Sequence, residues 1–287
     1  MKKRVSLFLS LLAAFFLLPA CSPTTPAQSI TAESALPVSS DLKLYCFQAG
    51  KADAFLFWNE SGAVLIDTGE SGYGKTILQK LDELGIKRLD ALILTHFDKD
   101  HVGGAKKLVT SLEIGTIYQS NCPKTGAEAY EKYAAALAET GQTAITLRER
   151  VTFRLGDAAF TVDPPAAERY SDSPSNNSSL IVEVLHGKNR MLFCGDAEDA
   201  RLTEYLRGSA STFDLVKLPH HGLWQTSLRA LLAQTKPSCA IVTSSDEEPE
   251  EEQTTALLEE SGVTVLLTRL GAFTVTSDGD ALQVVSE

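Results

Sequence analysis

No CxxC pair occurs anywhere in this chain. Its five cysteines are Cys21, Cys46, Cys122, Cys194 and Cys239. That spacing argues against a thiolate metal site. Cys46, Cys194 and Cys239 sit in apolar, strand-like runs and read as buried free thiols. One disulfide is open to a protein outside the cytoplasm, but the sequence pairs none. Positive charge is scarce too: 26 Lys and Arg stand against 37 Asp and Glu, a formal net charge of −11. A surface of that sign repels nucleic acid unless a local basic groove compensates. No short internal repeat is evident, so solenoid architectures are not indicated.

The long apolar run is "VSLFLSLLAAFFLL", preceded by Lys2, Lys3 and Arg4 and closed by "LLPAC". A run this short, ending in small residues, reads as an export signal over residues 1–20 rather than a spanning helix. Leu18-Pro19-Ala20-Cys21 looks like a bacterial lipobox, with proline an unusual occupant. The expected product begins at Cys21, lipidated there and held on the outer side of the bacterial cell membrane, since each buried methylene contributes about 0.8 kcal/mol. Ordinary signal cleavage and an uncleaved anchor are the alternatives. Removing the leader's three cations takes the net charge from −11 to −14. Residues 21–40 continue in Ser, Thr, Pro and Ala and read as a flexible tether. Residues 41–287 remain, a length suited to one domain.

Within that domain, "LKLYCFQA", "DAFLFWNE" and "AVLIDTG" read as strands of a meander. "YGKTILQKLDELG" has helical spacing of Ile77, Leu78, Leu81 and Leu84, with Gly85 as its stop. "LDALILTH" is a buried strand, "HVGGAKKLV" starts a helix, and "IGTIYQS" and "GAEAYEKYAAALAETG" continue as strand and helix. The second half repeats the style. Strands "VTFRLGDAAFTVDPP", "SSLIVEVLHG" and "NRMLFCGD" precede helix "AEDARLTEYLRG". Strand "FDLVKLPHHG", helix "LWQTSLRALLAQT", strand "CAIVTSS", helix "EEEQTTALLEESG" and strands "VTVLLTR" and "GAFTVTSDG" follow. The fold class expected is α/β: two mixed sheets face to face with helices outside.

Acids and imidazoles gather where these strands end. In "ALILTHFDKDHVGG", His96 and Asp98 are two apart, so an extended segment puts both on one side. Asp100 and His101 follow as the strand gives way to a helix. Gly103 and Gly104 permit tight turning and close approach. Asp67 in "VLIDTG", Asp196 in "MLFCGDAED" and His220-His221 in "LVKLPHHG" also follow apolar strands. Strand ends of a layered fold converge on one edge, a usual place for a site. Asp98, Asp100 and Asp196 brought together as dehydrated anions would destabilise the fold, and divalent cations reverse that sign. Imidazole with carboxylate suits zinc, and a larger carboxylate share moves preference toward manganese or iron. Taken singly, the same residues fit ordinary surface loops, and Asp67 before Thr-Gly fits a plain turn.

In this combination the chain resembles the metallo-β-lactamase superfamily over residues 41–287, which implies a four-layer αββα sandwich. "LIDTG" is similar to the first motif and "THFDKDHVGG" to the second, whose commoner form is HxHxDH. Aspartate at position 98 resembles the branch of the ComEC hydrolase domain and the phosphorylcholine esterases. "NNSSLIVEV", "MLFCGDAE" and "LVKLPHHG" resemble that branch's later motifs. The ComEC channel portion has no counterpart, so a transport role is not implied. The resemblance implies His96, Asp98 and Asp196 on one metal. On the second it implies Asp100, His101, Asp196 and a histidine of the His220-His221 pair, with His221 favoured. His220 would then face substrate or support the ligands, and Asp67 would brace the ligand loop. Asn176 and Asn177 are candidate hydrogen-bond donors to substrate, with a turn-forming role equally open. His186 reads as a turn or exposed histidine.

The implied activity is that of a binuclear hydrolase, two Zn²⁺ or Mn²⁺ ions bridged by a hydroxide, with Asp100 and His220 assisting. A phosphodiester is the favoured substrate. Carboxylic esters, lactones or β-lactams are the alternative, and a non-catalytic surface-binding lipoprotein on the same scaffold is another. Two departures weaken a nuclease analogy. "HHGL" replaces HHGS, placing Leu223 and Trp224 at the rim, and "DEEPEEEQ" stands where relatives carry a YGHP-like segment. Glu247, Glu248, Glu250, Glu251 and Glu252 repel a phosphate backbone if near the site, although acids also suit a helix start. Lys188, Lys217, Arg229 and Arg269 are the candidates for a basic groove, too few and scattered to make one. The sequence leaves the oligomeric state open.

Overall fold

A computed structural model describes residues 38–286 of the chain. The leader, Cys21 and the tether as far as residue 37 lie outside the described residues. The end of the expected tether is not loose. Ser39 donates from its backbone N and its Oγ to Asp157 Oδ2, both at 2.6 Å, and the Ser40 carbonyl lies 3.1 Å from His186 Nε2. Among the described residues no helix is long and apolar enough to cross a membrane.

The first half lays down β1 (Leu42–Cys46), β2 (Phe55–Asn59), β3 (Gly62–Ile66), β4 (Arg88–Leu94), β5 (Glu113–Gln119) and β6 (Ala144–Thr146). The second lays down β7 (Val151–Leu155), β8 (Ala158–Asp163), β9 (Ile181–His186), β10 (Asn189–Phe193), β11 (Leu215–Lys217), β12 (Cys239–Val242) and β13 (Thr264–Leu267). β14 (Phe273–Ser277) and β15 (Leu282–Ser286) then return to the first sheet. The sheet orders are β15-β14-β1-β2-β3-β4-β5-β6 and β13-β12-β11-β10-β9-β8-β7. In each, the outer strands on one side run parallel, β3 to β6 and β10 to β13, as strand–helix alternation requires.

Period-two alternation decides which face meets the other sheet. Phe55, Phe57, Val64, Ile66, Ala91 and Ile93 point to the core between the sheets. Leu56, Leu65, Leu92 and Leu94 point instead to the helices. Phe57 meets both Phe160 and Phe193 edge-on, with ring centroids 5.2 and 5.3 Å apart. Such pairs contribute roughly 0.5–1.5 kcal/mol each beyond the area they bury. The outside carries α1 (Gly74–Glu83), α2 (Lys99–Val102), α3 (Ala105–Val109), α4 (Glu128–Thr140), α5 (Asp199–Gly208), α6 (Leu228–Thr235) and α7 (Glu252–Glu260). The αββα expectation therefore stands.

Several local expectations need correction. The helix expected from His101 begins at Lys99 and divides into α2 and α3 at Gly103-Gly104. Both glycines keep right-handed backbone, so neither makes the tight turn anticipated for it. They are needed for contact: a Cβ on Gly103 would lie 2.4 Å from the Glu70 carbonyl carbon, and one on Gly104 2.4 Å from the Thr68 oxygen. The helix read from Leu223 starts only at Leu228, because the preceding segment is tied outward by Trp224 N to Glu251 and Ser227 N to Asp199. β6 and β15 are edge strands of three and five residues that sequence reading missed. His186 is neither exposed nor in a turn: it ends β9 wholly buried, its Nδ1 2.8 Å from Ser277 Oγ.

Candidate metal centre

The parallel registers bring several strand ends to one edge. Ile66 pairs with Ile93 and Phe193 with Lys217, so Asp67, Thr95, Asp196 and Leu218 all leave their sheets on the same side. Leu180 N donates to Thr95 O at 2.9 Å and ties the second sheet to the first there. The turn after β11 puts His220 and His221 at φ of 48° and 56°. Left-handed backbone costs about 1–2 kcal/mol per non-glycine residue, and here it aims both rings at this edge.

Asp100, His101, Asp196 and His221 offer ligand atoms that all lie within 4.8 Å of one another. Asp196 Oδ1 is 3.1 Å from His101 Nε2, and its Oδ2 is 3.3 Å from His221 Nε2. Asp100 Oδ2 is also 3.3 Å from His221 Nε2. His96 Nε2 stands 3.9 Å from Asp196 Oδ2 and 3.8 Å from Asp98 Oδ1. Asp98 is the N-cap of α2 but makes no capping bond. Its carboxylate instead receives Ser175 Oγ and, at 2.7 Å, Lys124 Nζ. His220 sits at the mouth, Nε2 3.9 Å from Asp196 Oδ2 and Nδ1 3.3 Å from Glu198 Oε1.

The hydrogen-bond network assigns the tautomers. Thr95 donates its backbone N and its hydroxyl to Asp67, at 2.8 and 2.7 Å. Asp67 Oδ2 also accepts the Nδ1–H of His101 at 2.8 Å. The oxygen of Thr95 faces His96 Nδ1 at 3.2 Å. Thr243 donates to Asp53 Oδ1 at 2.8 Å and accepts the Nδ1–H of His221 at 2.8 Å. So His96, His101 and His221 each present Nε2 inward. Those three nitrogens and Asp196 Oδ1 are buried, and none has an aligned hydrogen-bond partner among the described residues. Converging, unsatisfied nitrogen and oxygen donors of this kind fit divalent cations.

The charges point the same way. Burial pushes the Asp196 carboxyl up, but His101 and His221 outweigh it and leave it well below the carboxylate range. Burial likewise opposes charge on His221, yet Asp196 and Asp100 hold its pKa up at about 10. Burial, then the nearby His101, pushes His96 down to about 4. The centre thus favours positive charge between Asp196 and its two imidazoles, and a divalent ion supplies that charge in place of ring protons.

The superfamily's sequence profile matches residues 48–243. The chain belongs to the metallo-beta-lactamase superfamily. The chain is similar to ComE operon protein 3 of Bacillus subtilis, 27% identical over 228 residues, 72% of this chain and 29% of that protein. Recombination protein 2 of Haemophilus influenzae is 28% identical over 203 residues, 68% of this chain and 23% of that protein. The chain spans less than a third of the length of these relatives. Among solved structures, the metallo-beta-lactamase fold protein YhfI of Bacillus subtilis superposes with a TM-score of 0.54 at 11% identity, covering 86% of this chain and all of that one. CmlA, a diiron beta-hydroxylase from Streptomyces venezuelae, gives 0.50 at 14% identity, over 88% of this chain and 55% of that one. These two likenesses concern the fold.

For this superfamily member the structure gathers Asp100, His101, Asp196 and His221, with His96, Asp98 and His220 around them and Asp67 bracing His101. Asn176 and Asn177 are engaged with Glu198 and the start of α5. Asn176 donates to Glu198 Oε1 at 2.8 Å, and Asn177 Oδ1 accepts from the backbone N of Glu198 and Arg201 at the start of α5. Arg201, 1% exposed, donates to Ser179 O at 3.1 Å. Ser179 Oγ in turn accepts from Asp196 N at 3.1 Å. That chain of contacts fixes Asp196 from behind. Sequence reading missed Asp53, Thr243, Glu198 and Lys124, whose short sequence contexts carry no motif. Of the candidate basic residues, Lys217 is buried beneath the centre. Lys188, Arg229 and Arg269 pair with Asp280, Glu260 and Glu250. No basic groove forms from them. Removing the brace is expected to be costly: Asp67→Ala should weaken metal binding by about 10–100-fold, read by titration against a chromophoric chelator.

Proposed function

We propose that the chain is a metal-dependent hydrolase of small phosphodiesters. The observation that carries this reading is the inward convergence of three buried, unsatisfied Nε2 atoms on Asp196. His96, Asp98 and Asp196 would hold one cation, and Asp100, His101, Asp196 and His221 the other, with Zn²⁺ or Mn²⁺ suiting the donors. Bound divalent ions acidify water and polarise the oxygen of the bond to be cleaved. Among the protein's own groups, His220 stands at the mouth, 20% exposed and 3.3 Å from Glu198 Oε1, where it could pass a proton to the leaving group. Lys124, 41% exposed and reaching Asp98, supplies positive charge for an anionic phosphoryl oxygen.

The name of one relative, Recombination protein 2 of Haemophilus influenzae, favours a phosphate ester. The rim argues for a small one. Glu251 Oε2 accepts Trp224 N at 2.7 Å, three residues after His221, so the acidic loop borders the centre and opposes a polyanion. We place the domain outside the cytoplasm, tethered through lipid on Cys21; Cys21→Ser is expected to lose labelling by radioactive palmitate and membrane retention.

The test is a metal-reconstituted screen of an aryl phosphodiester, a phosphomonoester, a lactone and a chromogenic β-lactam side by side. Turnover of the phosphodiester that excess chelator abolishes supports the reading. Turnover that survives the chelator, or selectivity for the lactone or β-lactam, refutes it. Lys124→Ala should raise KM for the phosphodiester by roughly tenfold with little change in kcat, as loss of a ground-state contact does.

A further inference from the structure

Lys217 ends β11 with its side chain 0% exposed. Lysine is almost never buried without a compensating partner. Its ammonium donates to the Asp53 carboxylate and, at 3.2 Å, to Gly195 O, and it lies 3.8 Å from Asp196 Oδ1. It has no path to substrate, so the hydrolysis proposed above does not use it. Asp53, Asp67 and His101 form a second group with ligand spacing, also within 4.8 Å of one another. This inner group is wholly buried and shares His101 with the outer one. Its Asp53 member is already paired with a cation of the chain's own, Lys217.

We propose that Lys217 is a built-in counter-ion of the metal centre. Paired with Asp53, its ammonium neutralises that carboxylate of the inner group and confines exogenous cations to the outer Asp100–His101–Asp196–His221 group. Lys217 is therefore a positioning residue. With one Asp53 oxygen held by Lys217, the other accepts Thr243, whose oxygen takes the Nδ1–H of His221. The inference rests on the outer group binding divalent ions.

The experiment compares the full chain in mild detergent with Lys217→Ala, Asp53→Asn and the double variant. Metal equivalents are counted by elemental analysis, Zn²⁺ affinity is measured by chelator competition, and folding is followed by circular dichroism. Lys217→Ala is expected to take up one more equivalent than the parent, because the Asp53 carboxylate of the inner group is no longer neutralised. Asp53→Asn leaves the ammonium unpaired beside the outer group and should weaken Zn²⁺ binding by at least about tenfold. The double variant should return to the parent's stoichiometry and affinity. Should Lys217→Ala fold only when Zn²⁺ is present, that too supports the proposal, since the ion then replaces the lost ammonium. Equal stoichiometry and affinity in all folded variants would overturn it, leaving Lys217 and Asp53 a plain buried ion pair. A parent that binds no divalent ion refutes the metal-centre reading itself. If Lys217→Ala folds under neither condition, Asp53→Asn and the double variant decide by their affinities.

Discussion

Replacing Asp196 by asparagine is expected to empty the centre of its cations and to lower turnover by at least about a thousandfold. Asp196 is the common neighbour of His96, His101, His220 and His221, at 3.1 to 3.9 Å. An amide keeps the shape but brings no charge, and it binds hard or borderline cations poorly. In the proposed hydrolysis, cations held here would supply electrostatic stabilisation of developing negative charge, an effect that usually contributes more to the rate than any other. The backbone around Asp196 is held independently, by Ser179 and Arg201, so the fold should survive. Elemental analysis together with circular dichroism checks both halves. Asp196→Asn protein that keeps two equivalents of metal would contradict the assignment of Asp196 as the shared ligand.

Gly104→Ala should destabilise the domain by about 3 kcal/mol, as overpacking against rigid neighbours does. The added methyl would lie 2.4 Å from Thr68 O, 2.8 Å from Gly74 N and 3.1 Å from Gly74 Cα. All three are backbone atoms, so no side chain can swing aside. The 68–74 segment has to move away from the start of α3. That movement pulls on Thr68, whose N and Oγ1 both donate to His101 O at 2.7 Å. A melting temperature lower by roughly 6–12 °C is the expected reading for a domain of this size. Zn²⁺ affinity should fall with it, because the backbone bearing a ligand shifts. Gly208→Ala is the control: nothing lies within 4 Å of its Cβ, and its effect should stay within about 0.5 kcal/mol.

The two-sheet architecture, most of its strands and helices, and the grouping of residues 96–101, 196 and 221 could be read from the chain alone, while β6, β15 and the starts of α2 and α6 could not. Two local patterns made that legible. Short apolar runs such as Phe55–Phe57 and Ala91–Leu94, bounded by turn residues, marked strands, and acids or imidazoles stood at the ends of several of them. Both are local, since a strand's face and its end are set by its own few residues.

What the tertiary structure decided is which carboxylates serve the centre and which distant groups hold them. Asp53 looks like any acid after Lys51-Ala52, yet it bonds Thr243, 190 residues away, and Lys217. Lys217 read as a groove cation and His186 as a turn residue, and both prove to be buried with partners 22 residues or more away in the chain. The physical reason is the same in each case. A buried charge or ring is stabilised by whatever the fold places beside it, and strand pairing rather than sequence proximity chooses those neighbours.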